Sequence, residues 1–149
     1  MSEAKTETVR LDQVRDYQFD VAFGPGIAAL RSDEPPPLGQ GAGPSPVQLL
    51  AAAVGNCLSA SLLFALRKYK QAPEPIHTEV EAEVGRNEQG RLRVLKMTAT
   101  LRLGVPADQL DHLKRALDSF EAFCTVTQSV GQGIPVEVRV WDSHGERLK

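Results

Sequence analysis

The chain has 149 residues, enough for one domain with its own core and little more. With 42% hydrophobic and 24% charged residues, it is neither a mainly disordered chain nor a coiled coil nor a collagen-like repeat. Its 17 basic and 19 acidic residues leave a net charge of −2, so no basic excess exists to neutralise a phosphate backbone, and nucleic acid is not an expected partner.

The first segment, MSEAKTET, is polar and lacks the basic start and apolar block of a signal peptide, which implies a cytoplasmic location. Residues 8–14 form a weakly alternating strand. Tyr17, Phe19, Val21 and Phe23 then alternate with Gln18, Asp20 and Ala22, the pattern of a half-buried strand. Gly24-Pro25-Gly26 turns the chain, and residues 27–31 return as the second arm of a hairpin. Residues 33–46 are loop, with three consecutive prolines and then Gly39, Gly41 and Gly43. The stretch GQGAGPSP lacks the Lys-Ser/Thr of a phosphate loop and the spacing of a dinucleotide fingerprint. A connection that passes close to other backbone accounts for it better.

Ser45-Pro46 starts a helix, a capping hydroxyl followed by proline at the first helical position, and Ala72-Pro73 ends it after about Tyr69. No face of it carries a charge from Leu49 to Leu66, so it is expected to be buried on all sides. Its length alone would span a membrane, but Gln48, Asn56, Ser59, Ser61 and many alanines favour a core helix. No membrane partner is expected. Gly55 and Ser59, four apart, allow a second backbone to approach, and a second copy of the helix is one candidate, with Ala52 beside them. Such a helix in so short a chain predicts an obligate homodimer.

A hairpin follows. Val80, Ala82 and Val84 alternate with Glu79, Glu81 and Glu83; Leu95, Met97, Ala99, Leu101 and Leu103 alternate with Lys96, Thr98, Thr100 and Arg102. An acidic exposed face would thus lie beside a basic one. A second helix from about Pro106 carries Leu110, Leu113, Leu117, Phe120 and Cys124 on one stripe. A short helix over 125–130 stops at Gly131, and Val136, Val138 and Val140 mark a last strand. The order of elements reads as one α+β domain over residues 1–149, with no repeat and no linker.

The three histidines, His77, His112 and His144, show no ligand spacing, so no metal is expected. The two cysteines are more informative. Cys57 lies mid-helix and Cys124 at the start of the short helix, where a thiolate is favoured. Two small core hydrophobes or a redox pair remain the alternatives, and only the fold could make them meet.

GPSPVQLLAAAVGNCLSASL resembles the central-helix signature of the OsmC/Ohr family, the osmotically induced and organic-hydroperoxide-resistance proteins. AFCTVTQSV resembles that family's second motif, a cysteine followed by Pro-Val-Ser or similar at the opening of a short helix. The motifs occur in family order, and the resemblance extends over nearly the whole chain. It implies an OsmC-like fold, antiparallel sheets packed on two longer helices, in an intertwined homodimer with buried central helices. It also implies a peroxiredoxin-like activity on organic hydroperoxides or hydrogen peroxide. Cys57 takes the peroxidatic position and Cys124 the resolving one. The resulting disulfide is reduced by an external dithiol or thiol, and no cofactor is implied.

The chain departs from the hydroperoxide-resistance branch at two positions. Val47 stands where that branch has a glutamate, and Gly24-Pro25-Gly26 stands where it carries the arginine that activates the thiol. Arg31 is the nearest substitute, with an exposed strand-end charge as its other reading; Glu34 lies three residues on. The alternative function is a non-catalytic member of the fold that binds an apolar small molecule or a partner.

Overall fold

A computed structural model describes residues 3–149; Met1 and Ser2, which open the polar start, lie outside them. The chain divides into two compact units, Met1–Leu49 and Leu50–Lys149.

The first unit is an antiparallel meander of β1 (Arg10–Arg15), β2 (Gln18–Ala22) and β3 (Leu30–Ser32). β1 is exposed along its whole length, and its register shifts between Gln13 and Arg15. The returning arm begins later than the sequence suggests, at Leu30, and Ile27 is exposed. In β2 only Val21 of the expected apolar set is buried, together with Gln18. Gln18 tolerates burial because its amide donates to Asp33 Oδ2 at 3.3 Å. Asp33 organises the loop that follows. Its carboxylate accepts the N–H groups of Glu34, Gln40 and Ala42 at 2.8, 3.1 and 3.0 Å. The glycine-rich stretch does run against other backbone: a Cβ at Gly43 would lie 1.8 Å from the Arg31 carbonyl oxygen.

The long helix, α1 (Pro46–Arg67), opens on a reciprocal cap. Ser45 Oγ accepts the Gln48 N–H at 3.2 Å, and Gln48 Oε1 accepts the Ser45 N–H at 2.9 Å. The helix ends two residues short of the expected Tyr69, where Lys70 turns to a positive φ of 57°.

The second unit carries a sheet ordered β4 (His77–Arg86), β5 (Leu92–Arg102), β6 (Val136–Trp141). β4 and β5 are antiparallel, but β6 runs parallel to β5, so this sheet is mixed rather than wholly antiparallel. Parallel neighbours need a crossover. Residues 103–135 supply it, and the expected second long helix is broken within them. It becomes a 3₁₀ turn Ala107–Gln109, α2 (Leu113–Ser119), a 3₁₀ turn Phe120–Phe123 and α3 (Thr125–Val130), with His112 in the left-handed region at φ 57°. The apolar stripe still points inward: Leu110, Leu117, Phe120 and Cys124 are buried.

The core is built from Val54, Leu58, Leu62 and Leu66 of α1, Met97, Ala99 and Leu101 of β5, Val138 and Val140 of β6, and Phe120. A register shift between Glu83 and Val84 leaves Leu95 as an extra residue. The inward phase therefore changes there, and Leu95, expected in the core, is exposed while Val94 packs against it. Of the acidic residues on β4, only Glu83 faces a base, Lys96; Glu79 and Glu81 face Thr100 and Thr98. Lys96 instead pairs with Glu137 at 2.7 Å, and Arg139 joins them.

The expectation for α1 needs one correction. Gly55 and Ser59 face β4 of the same chain: a Cβ at Gly55 would lie 2.8 Å from Val80 Cγ2, and Ser59 Oγ lies 2.6 Å from Thr78 Oγ1. Within the single chain the helix is open on one side, the side for which a second copy is the expected cover, because a three-stranded sheet covers only one face. Ala52, Ala53, Asn56, Ala60 and Phe64 are exposed, Phe64 by 63%. Its hydropathy would suit a membrane span, but the Val54–Leu58–Leu62–Leu66 side is wholly buried in the protein core.

Candidate functional site

Two secondary-structure elements bring the cysteines to one place. Cys57 projects from the middle of α1, half-buried and packed against the core cluster. Cys124 follows the 3₁₀ turn after α2 and directly precedes α3; it is wholly buried. The Cys124 backbone carries the chain into α3 through its carbonyl, which accepts the Gln128 N–H at 2.9 Å.

The two thiols are close enough for Cys57 to influence the ionisation of Cys124, and both are free. Cys124 Sγ also lies 2.9 Å from Thr127 Oγ1, and Thr127 is itself buried. These surroundings set the ionisation of Cys124. Burial is the largest influence and pushes its thiol up from the ordinary value; the Cys57 side chain pushes the same way. The Thr127 hydroxyl and N–H oppose them and lose. The expectation that the start of the short helix favours a Cys124 thiolate is therefore not met: desolvation outweighs the donors. A protonated, enclosed Cys124 sits beside a Cys57 that solvent reaches.

Arg31 belongs to the first unit, in β3, where it pairs in register with Asp20. Its Nε donates to Asp20 Oδ1 at 2.6 Å, and Nη1 lies 3.5 Å from Gln18 Oε1. The guanidinium is thus held by Asp20 rather than by Glu34, and remains 38% exposed. Arg10 is similarly engaged by Asp12 at 2.9 Å.

Thr127 is the site residue that sequence reasoning passed over. The signal was present: a hydroxyl three positions after a cysteine at a helix start can turn back onto it. On the outer side of α1, Asn56, Ser59, Ala60, Leu63, Glu74 and Ile76 line an open groove of about 340 Å³.

The chain that carries this free thiol pair has known relatives. The family model described as OsmC-like protein matches residues 39–139, a span that contains both cysteines.

The chain belongs to the OsmC-like protein family.

Solved structures agree on the OsmC fold. An OsmC-like protein of unknown function from Vibrio cholerae superposes with a TM-score of 0.77 at 17% identity, over 92% of this chain and 99% of that one. An organic hydroperoxide resistance protein from Elizabethkingia anophelis gives 0.75 at 16% identity, over 96% and 100%. The organic hydroperoxide resistance protein OhrB of Bacillus subtilis gives 0.69 at 15% identity, over 91% and 98%. No curated protein matches the sequence. Two of these neighbours carry the name organic hydroperoxide resistance protein.

Proposed function

We propose that this OsmC-like protein is a thiol peroxidase that reduces organic hydroperoxides or hydrogen peroxide in oxidative or osmotic stress defence. One observation carries the reading: a solvent-reached Cys57 thiol beside a buried, protonated Cys124 thiol. The Cys57 thiolate attacks the peroxide, and the O–O bond breaks. One oxygen stays on sulfur as a sulfenic acid, and the other leaves as alcohol or water after taking a proton. Cys124 then attacks the Cys57 sulfur, the S–O bond breaks, and hydroxide leaves as water with the Cys124 proton. An external dithiol restores both thiols and becomes a disulfide, so no bound cofactor is needed.

Cys57 lies too far inside α1 for a helix-end dipole to help its thiolate, so a cation must do so, and Arg31 is the proposed one. The proposed working form is an intertwined homodimer in which the exposed Asn56–Ala60–Phe64 stripe of α1 is covered. A single OsmC-like domain in the cytoplasm, where dithiol reductants keep cysteines reduced, suits the cycle.

A second reading, a non-catalytic member that binds an apolar small molecule, is favoured by the Arg31–Asp20 ion pair and by Val47 in place of an acidic residue. One experiment separates the two. One equivalent of cumene hydroperoxide should yield an intramolecular Cys57–Cys124 disulfide by peptide mapping, and Cys124→Ser should stop at a trappable sulfenic acid on Cys57. Two free thiols after oxidation would leave only the second reading.

A further inference from the structure

In the reduced protein the Cys124 S–H has one hydroxyl partner, Thr127, at 2.9 Å, and both side chains are shut away from water. The hydroxyl is well anchored. Thr127 lies in α3, its carbonyl accepts the Gly131 N–H at 2.8 Å, and the preceding turn is tied by the Gln128 amide to the Glu121 carbonyl at 3.0 Å. A hydroxyl is both acceptor and donor, so it serves sulfur in either protonation state without moving.

We propose that Thr127 is a positioning residue for Cys124, its oxygen accepting the S–H in the reduced protein and its O–H turning to donate when sulfur carries charge. The idea rests on the two-thiol reading above and adds a group to it. Sulfur carries charge at two moments. When the disulfide closes, Cys124 loses its proton to the departing hydroxide as the S–S bond forms. When the external dithiol reopens it, a thiolate of that reductant attacks the solvent-reached Cys57 sulfur. The S–S bond breaks toward Cys124, which leaves as a thiolate and is reprotonated by the second thiol of the reductant. That second thiol then displaces Cys57, and the reductant departs as a disulfide. In a site too enclosed for water to solvate a thiolate, the Thr127 hydroxyl supplies a donor beside that residue's own N–H.

The test needs no peroxide in its first arm. In a Cys57→Ser background Cys124 is the remaining thiol, and its thiolate absorbance is followed against pH, with Cys57→Ser/Cys124→Ser as the blank. Thr127→Val, which keeps the shape and removes the hydroxyl, should shift the titration up by about one pH unit, a tenfold loss of thiolate. Thr127→Ser should restore it. Should the valine variant not fold, the Cβ resonance of Thr127 in the Cys57→Ser protein should titrate with the Cys124 midpoint; a flat resonance overturns the proposal. An unchanged titration in Thr127→Val, or no restoration by serine, also overturns it. In the second arm, with both cysteines present, Thr127→Val should slow disulfide closure after one equivalent of peroxide and regain speed as pH rises. A wild type that never closes the disulfide defeats the peroxidase reading by itself, whereas the first arm judges Thr127 alone.

Discussion

Gly55 is where α1 is seated on its own sheet, and that seat determines where Cys57 stands. The perturbation is Gly55→Ala. Two effects oppose. Alanine is about 1 kcal/mol better than glycine inside a helix. The new methyl would lie 2.8 Å from Val80 Cγ2 and 3.5 Å from Thr78 Cγ2. Val80 is β-branched, stiff at χ1 and held in the β4–β5 ladder opposite Ala99, so it cannot swing away as a long side chain would. Overpacking of this kind costs about 1–3 kcal/mol, which exceeds the propensity gain over most of its range. Gly55→Ala should therefore lower stability by up to about 2 kcal/mol. The sign should reverse in a Val80→Ala background, where the obstacle is gone and the propensity gain of about 1 kcal/mol remains. The assay is urea unfolding of all four proteins, with the midpoint shifts read at a common slope. The cycle should give a coupling of about 1–3 kcal/mol. Additive effects, or a gain in stability from Gly55→Ala with Val80 intact, would refute the close seating of α1 on β4.

Four further outcomes follow from the structure. Phe64→Glu, on the open stripe of α1, should convert the proposed dimer to monomer in sedimentation without unfolding it; a dimer that persists would mean that another surface holds it together. Phe120→Ala, which empties the largest wholly buried side chain, should cost about 3–5 kcal/mol in denaturant unfolding. The Ala42 N–H, ahead of those of Gln40 and Glu34, holds Asp33 below the usual carboxylate range, and the Ala107 N–H does the same for Asp142. Depressed carboxylates add stability above their unfolded value of about 3.9 and lose it as pH falls through the folded value, so Tm should drop below about pH 4, and Asp33→Asn should flatten part of that drop. Arg31→Met, with Cys124 changed to serine, should slow oxidation of Cys57 by peroxide and leave the dimer intact; an unaltered rate would move the search for the cation to Arg10 and Arg15.

Much of this protein was legible in its residues because the signals are local. The period-2 alternation in β4 and β5, the Ser45-Pro46 start with Gln48 three residues on, and the inward stripe of Leu110, Leu117, Phe120 and Cys124 each depend on neighbours a few positions away. The two cysteine motifs were equally readable and carried the family with them. Other features depend on how distant segments close on one another, and local pattern is silent about them. An inward stripe at helical spacing cannot reveal that the backbone turns left-handed at His112 and tightens to a 3₁₀ turn after Ser119, so that the helix is broken at both places. Alternation cannot reveal where one extra residue enters a ladder, and Leu95, at that point, lies on the exposed face. Composition showed an uncharged α1, but which side its own sheet would cover, and which would stay open, was decided by β4 meeting Gly55. The same is true of the chemistry. The sequence determined that two thiols exist; only the tertiary structure made them neighbours, buried one more than the other, and turned Thr127 onto the buried sulfur, because ionisation is governed by surroundings that residues far apart in the chain assemble.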